Sequence, residues 1–140
     1  MSRPSVLLAF VFLAACSPDS PQELDGIEET IYSHAAIGIA ATYTDEYEAV
    51  LEWSRTNATA DLYLENLASS DPALRLYGLL GLKIIGSDKY RKFLDDLLVD
   101  DTMTPYGRGG CIIDGAPVSS IARDIDETTV ETLKGENSRY

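Results

Sequence analysis

The stretch from Asp71 to Gly86 constrains the fold more than any other part of the chain. Asp71 supplies a carboxylate at a helix N-cap, Pro72 suits the first helical position, and Gly86 ends the helix. Between them lie Leu74, Leu76, Tyr77, Leu79, Leu80, Leu82, Ile84 and Ile85, interrupted by only two charged residues, Arg75 and Lys83. A helix that is apolar nearly all round must be buried on most sides, so the domain has to be built around it. Gly78 and Gly81 each cost roughly 1 kcal/mol against alanine inside a helix. Their use predicts close approach of a neighbouring helix.

The segments around it also read as helices. Glu28 to Ala41 is rich in alanine and aliphatics, and Thr44 caps a helix that begins with Asp45 and Glu46. Tyr47, Val50, Leu51 and Ser54 share one face of that helix. Thr59 caps another, with Ala60, Tyr63, Leu64 and Leu67 at helical spacing. From Asp88 to Val99, Tyr90, Phe93, Leu94, Leu97 and Leu98 form an apolar stripe. A last helix starts at Pro117, with Val118, Ile121, Ala122 and Ile125 on one face. The predicted fold class is therefore all-α.

The pair of helices over 71–99 resembles a HEAT-type repeat. The match runs through Asp71, Pro72, Leu74, Arg75, Gly78, Gly81, Leu82, Ile85 and Gly86, with glycine at both positions where the family prefers alanine. A weak echo at a spacing of 30 residues adds to it: Tyr63, Leu64, Leu67 and Asp71 recur as Phe93, Leu94, Leu97 and Asp101. The resemblance implies α-α hairpins stacked as a superhelix, for which about three units are usually needed. Residues 28–68 would then be degenerate units; the alternative is a compact helical domain around one hairpin. After Asp101 the pattern breaks at Thr104-Pro105-Tyr106-Gly107-Arg108-Gly109-Gly110, which reads as a loop replacing a helix.

The N-terminus carries a different message. Arg3 precedes an uninterrupted apolar run from Val6 to Ala15. Ten residues span about 15 Å as a helix, half a bilayer core, so the run reads as a secretory signal and not a membrane span. Leu13-Ala14-Ala15-Cys16 resembles the lipobox of bacterial lipoproteins. That resemblance implies cleavage between Ala15 and Cys16, lipidation of Cys16 and anchoring in a bilayer by acyl chains, two or more of which hold stably. Residues 1–15 are then a signal peptide and 16–22, with Pro18 and Pro21, a polar tether. Residues 23–125 form the domain, and 126–140 a polar, partly disordered tail. Ser17 after the cysteine fits outer-membrane sorting, facing the periplasm, if the host has two membranes.

Charge and chemistry-bearing residues narrow the function. The formal net charge is −12, and loss of Arg3 with the signal would make it −13. Such a balance argues against nucleic acid and against anionic lipid headgroups, both of which want clustered Lys and Arg. His34 is the one histidine; its setting, Tyr32-Ser33-His34-Ala35, predicts a packed, hydrogen-bonded ring. With Cys16 acylated, Cys111 would have no partner in the chain and reads as a buried thiol, an intermolecular disulfide being the alternative. Zinc is not expected from one histidine and one cysteine. Asp95-Asp96 and Asp100-Asp101 lack the alternating spacing of a calcium loop and read as solvated helix ends. Gly107-Arg108-Gly109-Gly110 lacks the ending of a phosphate-binding loop. The eight tyrosines read as core residues with a polar tip.

The expectation is a lipid-anchored envelope protein, not an enzyme and without cofactor, that binds an envelope protein partner. The alternative is an envelope hydrolase or small-ligand protein with a site near the Gly107–Cys111 loop.

Overall fold

The structure is a computed structural model that describes residues 30–35, 43–56, 59–109 and 112–135. Its elements run α1 (Asp45–Thr56), α2 (Asp61–Leu67), α3 (Pro72–Ile84), α4 (Tyr90–Leu97), β1 (Met103–Gly109), β2 (Ile112–Pro117), α5 (Val118–Glu127) and α6 (Val130–Leu133). The helix from Asp71 to Gly86 is where the sequence placed it. The Asp71 carboxylate accepts from the Ala73 N–H at 2.9 Å. At the other end Gly86, with φ of 66°, lets the Ser87 N–H reach the Leu82 carbonyl at 3.0 Å, a Schellman closure. Residues all along α3 are buried, from Ala73 and Leu76 to Leu82 and Ile84. It touches α1, α2, α4, α5, α6 and β1. The domain is organised radially about this helix.

Its closest neighbour is α2, and the two glycines explain why. A Cβ at Gly78 would stand 2.6 Å from the Tyr63 carbonyl oxygen, and one at Gly81 2.1 Å from the Tyr63 ring. Only glycine at both sites lets Tyr63 lie across the α3 backbone.

The all-α expectation is overturned between Met103 and Pro117. Here the chain forms an antiparallel hairpin, β1 paired with β2, with Met103 opposite Pro117 and Tyr106 opposite Asp114. Pro105, read above as a helix breaker within a loop, fits the strand for a physical reason. Its carbonyl accepts from the Tyr32 N–H at 3.0 Å, on the side away from β2, so the missing proline N–H takes nothing from the β1–β2 ladder. The register shifts between Gly107 and Gly109, leaving Arg108 as a bulge beside a glycine with φ of 100°. The Gly107 N–H donates to the Tyr32 carbonyl at 2.8 Å, and Tyr32 forms a parallel bridge to Tyr106. The residues around Tyr32, expected to be helical, are instead extended along β1. The remainder of the expected 28–41 helix lies outside the described residues.

Other expectations divide similarly. Thr44 does cap α1, its hydroxyl accepting from the Tyr47 N–H at 3.2 Å. Thr59 does not cap α2, whose N-cap is Ala60 without a side-chain bond. Val118, Ile121, Ala122 and Ile125 are the buried face of α5, as their spacing predicts. Beyond Asp126 the chain is not wholly a tail: α6 follows, Thr129 caps it, and Leu133 is buried.

Candidate functional site

Tyrosine hydroxyls tie the elements together, which decides what is left for function. Tyr63 on α2 donates to the Val50 carbonyl of α1 at 3.1 Å, and Tyr47 on α1 donates to the Leu133 carbonyl of α6. Tyr90 on α4 donates to the Asp126 carboxylate at 2.9 Å, and Tyr106 on β1 to the Asp124 carboxylate at 2.6 Å. The Tyr77 hydroxyl donates to the Ile31 carbonyl at 2.8 Å while accepting from the Ser33 N–H at 2.9 Å. That leaves Thr44 as the donor in the 2.6 Å contact between the Thr44 and Tyr77 hydroxyls. Burial pushes the Tyr77 phenol up to about 12 and raises Tyr32, Tyr47, Tyr63, Tyr90 and Tyr106 as well.

His34 sits beside this network. Its Nδ1 lies 3.3 Å from the Tyr32 hydroxyl, and the two rings meet edge to face. Burial lowers its pKa, and the nearby Asp124 charge only partly offsets that. The sequence anticipated a packed, hydrogen-bonded ring, and the described contacts are of that kind. What it missed was that His34, Tyr32, Tyr106 and Asp124 gather at the middle of β1, where it faces α5. No local signal marks this, because Tyr32 and Tyr106 meet through strand pairing across 74 positions of sequence.

The acidic pairs part company. Asp100 is not a solvated helix end: its carboxylate lies 3.0 Å from the Arg75 guanidinium and accepts from the Thr102 N–H at 2.9 Å. Burial pushes the Asp100 carboxyl up, but the two Thr102 bonds and Arg75 together outweigh it and leave it below its ordinary value. Among the described residues no group of His, Cys, Asp and Glu is arranged to hold a metal. Arg108 stacks over Tyr106 at 5.3 Å and lies 3.8 Å from the exposed Asp114. The rest of the Gly107–Cys111 loop, Gly110 and Cys111, lies outside the described residues, as do Ala15 and Cys16.

Two surface features stand out among the described residues. One is a shallow depression of about 240 Å³ between the start of α3 and the start of β1, bordered by Thr30, Ser70, Asp71, Met103 and Thr104. It has one carboxylate, Asp71, already engaged in capping α3. The other is the outward face of the hairpin. Strand alternation puts Met103 and Pro105 on one face, with Ile113, Gly115 and Pro117 opposite them on the same side. The Met103 Cε lies 3.5 Å from where a Gly115 Cβ would stand, which places both on that side. Met103 is 60% exposed and Ile113 47%. Thr104 and Ala116, on the opposite face, are buried.

Comparison of the chain with protein-family models, with curated proteins and with solved structures finds no match in any of the three. The fold and the two surface features define a small helical domain with a β-hairpin laid against it. Among the described residues no helix is long and apolar enough to cross a membrane.

Proposed function

We propose that this chain is a lipid-anchored envelope protein whose domain holds a protein partner close to the membrane and does no chemistry of its own. The anchor rests on Leu13-Ala14-Ala15-Cys16 and the apolar run before it. From Cys16 to Thr30, where the described residues begin, fourteen residues reach at most about 50 Å, so the domain stays near the lipid surface.

One observation carries the binding reading. The hairpin turns an uncharged face made of Met103, Pro105, Ile113, Gly115 and Pro117 to solvent, in a chain of which 24% is charged. Exposed apolar surface of this kind marks sites of contact. The rival, a hydrolase or small-ligand protein with a site near the Gly107–Cys111 loop, would draw on Arg108 with tyrosine and carboxylate side chains such as Tyr106 and Asp124. Tyr106 and Asp124 already satisfy each other, and Arg108 lies over the Tyr106 ring.

Chemical crosslinking in the native host, followed by mass spectrometry, tests the reading. Full-length protein should yield one or a few enriched envelope proteins, and Cys16→Ala should lose both the membrane fraction and those partners. Turnover of any member of a hydrolase substrate panel by purified protein, with no partner enriched, would overturn it.

A further inference from the structure

Resting on that binding reading, we propose that the outward face of the hairpin docks a protein segment whose apolar centre is flanked by lysine or arginine. The apolar centre is set by what the face offers. Met103 and Ile113 stand out from it, Gly115 leaves a low point between them against which the Met103 thioether lies, and the two prolines carry no charge. Val99, 80% exposed in the connection leading into β1, adds apolar surface before the strand.

The flanking charge is set by what surrounds that face. Asp101 is exposed two residues before Met103, and Asp71 borders the same depression as Met103. Asp114, 58% exposed, follows Ile113 directly; alternation sends it to the face that holds Tyr106, 3.8 Å from Arg108, so it adds charge at the hairpin's edge and not on the apolar face itself. The Arg75 cation, by contrast, is spent on Asp100. An apolar face with Asp101 and Asp71 beside it and Asp114 at the hairpin's edge, in a chain of net charge −12, repels a second copy of itself and anionic headgroups alike. It attracts a partner of opposite sign, and such rim charges act on encounter and on partner choice.

The test places a photoreactive benzoylphenylalanine at position 103 or 113 of the full-length chain in its native host. Glu52 and Lys92, exposed on α1 and α4, serve as control positions. Adducts should form at 103 and 113 well above the controls, and the crosslinked peptide should carry Lys or Arg on both sides of an apolar stretch. Combining Asp101→Lys with Asp114→Lys should cut the adduct yield about tenfold, equivalent to about 1.4 kcal/mol. The same charge change at Glu52→Lys with Asp61→Lys should leave the yield within about twofold, since surface charges distant from the contact are largely screened. Circular dichroism checks that each variant is folded. Adducts to lipid, to a second copy of the chain or to segments without basic residues would overturn the proposal. Equal loss from the control charge pair would do so too. An envelope protein captured only at Glu52 or Lys92 would sink the hairpin surface and leave the binding reading standing; no protein adduct at any position would sink both.

Discussion

The ring of Tyr63 lies directly on the backbone of Gly81, so close that a Cβ there would stand 2.1 Å from its Cδ1. The ring has little freedom to yield, because its hydroxyl is bound to the Val50 carbonyl and Trp53 packs beside it with centroids 6.0 Å apart. Helix propensity alone would have Gly81→Ala stabilise the domain by roughly 1 kcal/mol. The contact reverses the sign. Gly81→Ala should cost about 2 kcal/mol through overpacking, read as a lower urea midpoint with unchanged slope. Adding Tyr63→Leu to Gly81→Ala should cost less than the two single changes summed, since the clash partner is gone. A stabilised single variant would refute the packing account.

Lys83 joins the same central helix to α5. Its ammonium donates to the carbonyls of Ile125 at 2.5 Å, Asp126 at 2.7 Å and Thr128 at 2.6 Å, closing the open C-terminal end of α5. A cation there also complements the negative end of the helix dipole. Lys83→Met keeps the stem and removes all three bonds, and should cost about 2–3 kcal/mol because the carbonyls are left without donors. Hydrogen exchange should show the loss first over Ile125 to Leu133. A uniform change across the chain would mean that Lys83 does not act as this cap.

Alkaline pH tests the tyrosine ties together. Six of the eight tyrosines have pKa values raised by burial, Tyr77 to about 12. A group whose folded pKa lies above its unfolded value contributes stability that is whole below the unfolded value, here 10.0, and is lost as pH climbs through the folded one. Lys83, lowered by burial, acts in the opposite direction below its unfolded value, but it is one group against six. Helical circular dichroism should therefore hold to about pH 10 and then collapse in one step, with phenolate absorbance appearing at the same pH. Phenolate signal from these six rising ahead of unfolding would show their hydroxyls to be free.

The helical half of this fold was legible because its signals are local. Asp71, Pro72 and Gly86 mark α3 within 16 residues, and Val118 to Ile125 repeat at helical spacing. The hairpin was not. Alternation in β1 is masked because its outward positions hold Met103 and Pro105, which resemble a loop, while its inward positions hold Thr104 and Tyr106, only modestly apolar. What makes it a strand is Tyr32, which lies far away in sequence and offers both an N–H and a carbonyl. Lys83 shows the same limit from the other side. Its spacing gave a charged residue near a helix end, yet its target is a set of carbonyls more than 40 positions away. The binding surface inherits the difficulty, since residues 103 and 113 become one face only once the strands have paired.

That pairing depends on how the hairpin is fastened to the helices, and Tyr106 is the main fastening. Its ring lies 5.9 Å from Tyr32, its hydroxyl bonds the Asp124 carboxylate of α5, and Arg108 covers its outer side. Tyr106→Phe keeps both ring contacts and removes only the bond to the carboxylate, a charge-assisted one. Because Asp124 is half buried and water can partly replace the donor, the cost should be about 1–2 kcal/mol. The cost should be local. Amide exchange in β1 and β2 should quicken while α3, held by its own burial, keeps its protection. Asp124→Asn leaves an acceptor for the Tyr106 hydroxyl and should be milder. Partner capture through positions 103 and 113 should weaken in Tyr106→Phe even though neither position is changed, because the face is presented only while the hairpin is docked. Unchanged exchange in the hairpin would show that the hydroxyl is not what holds it down.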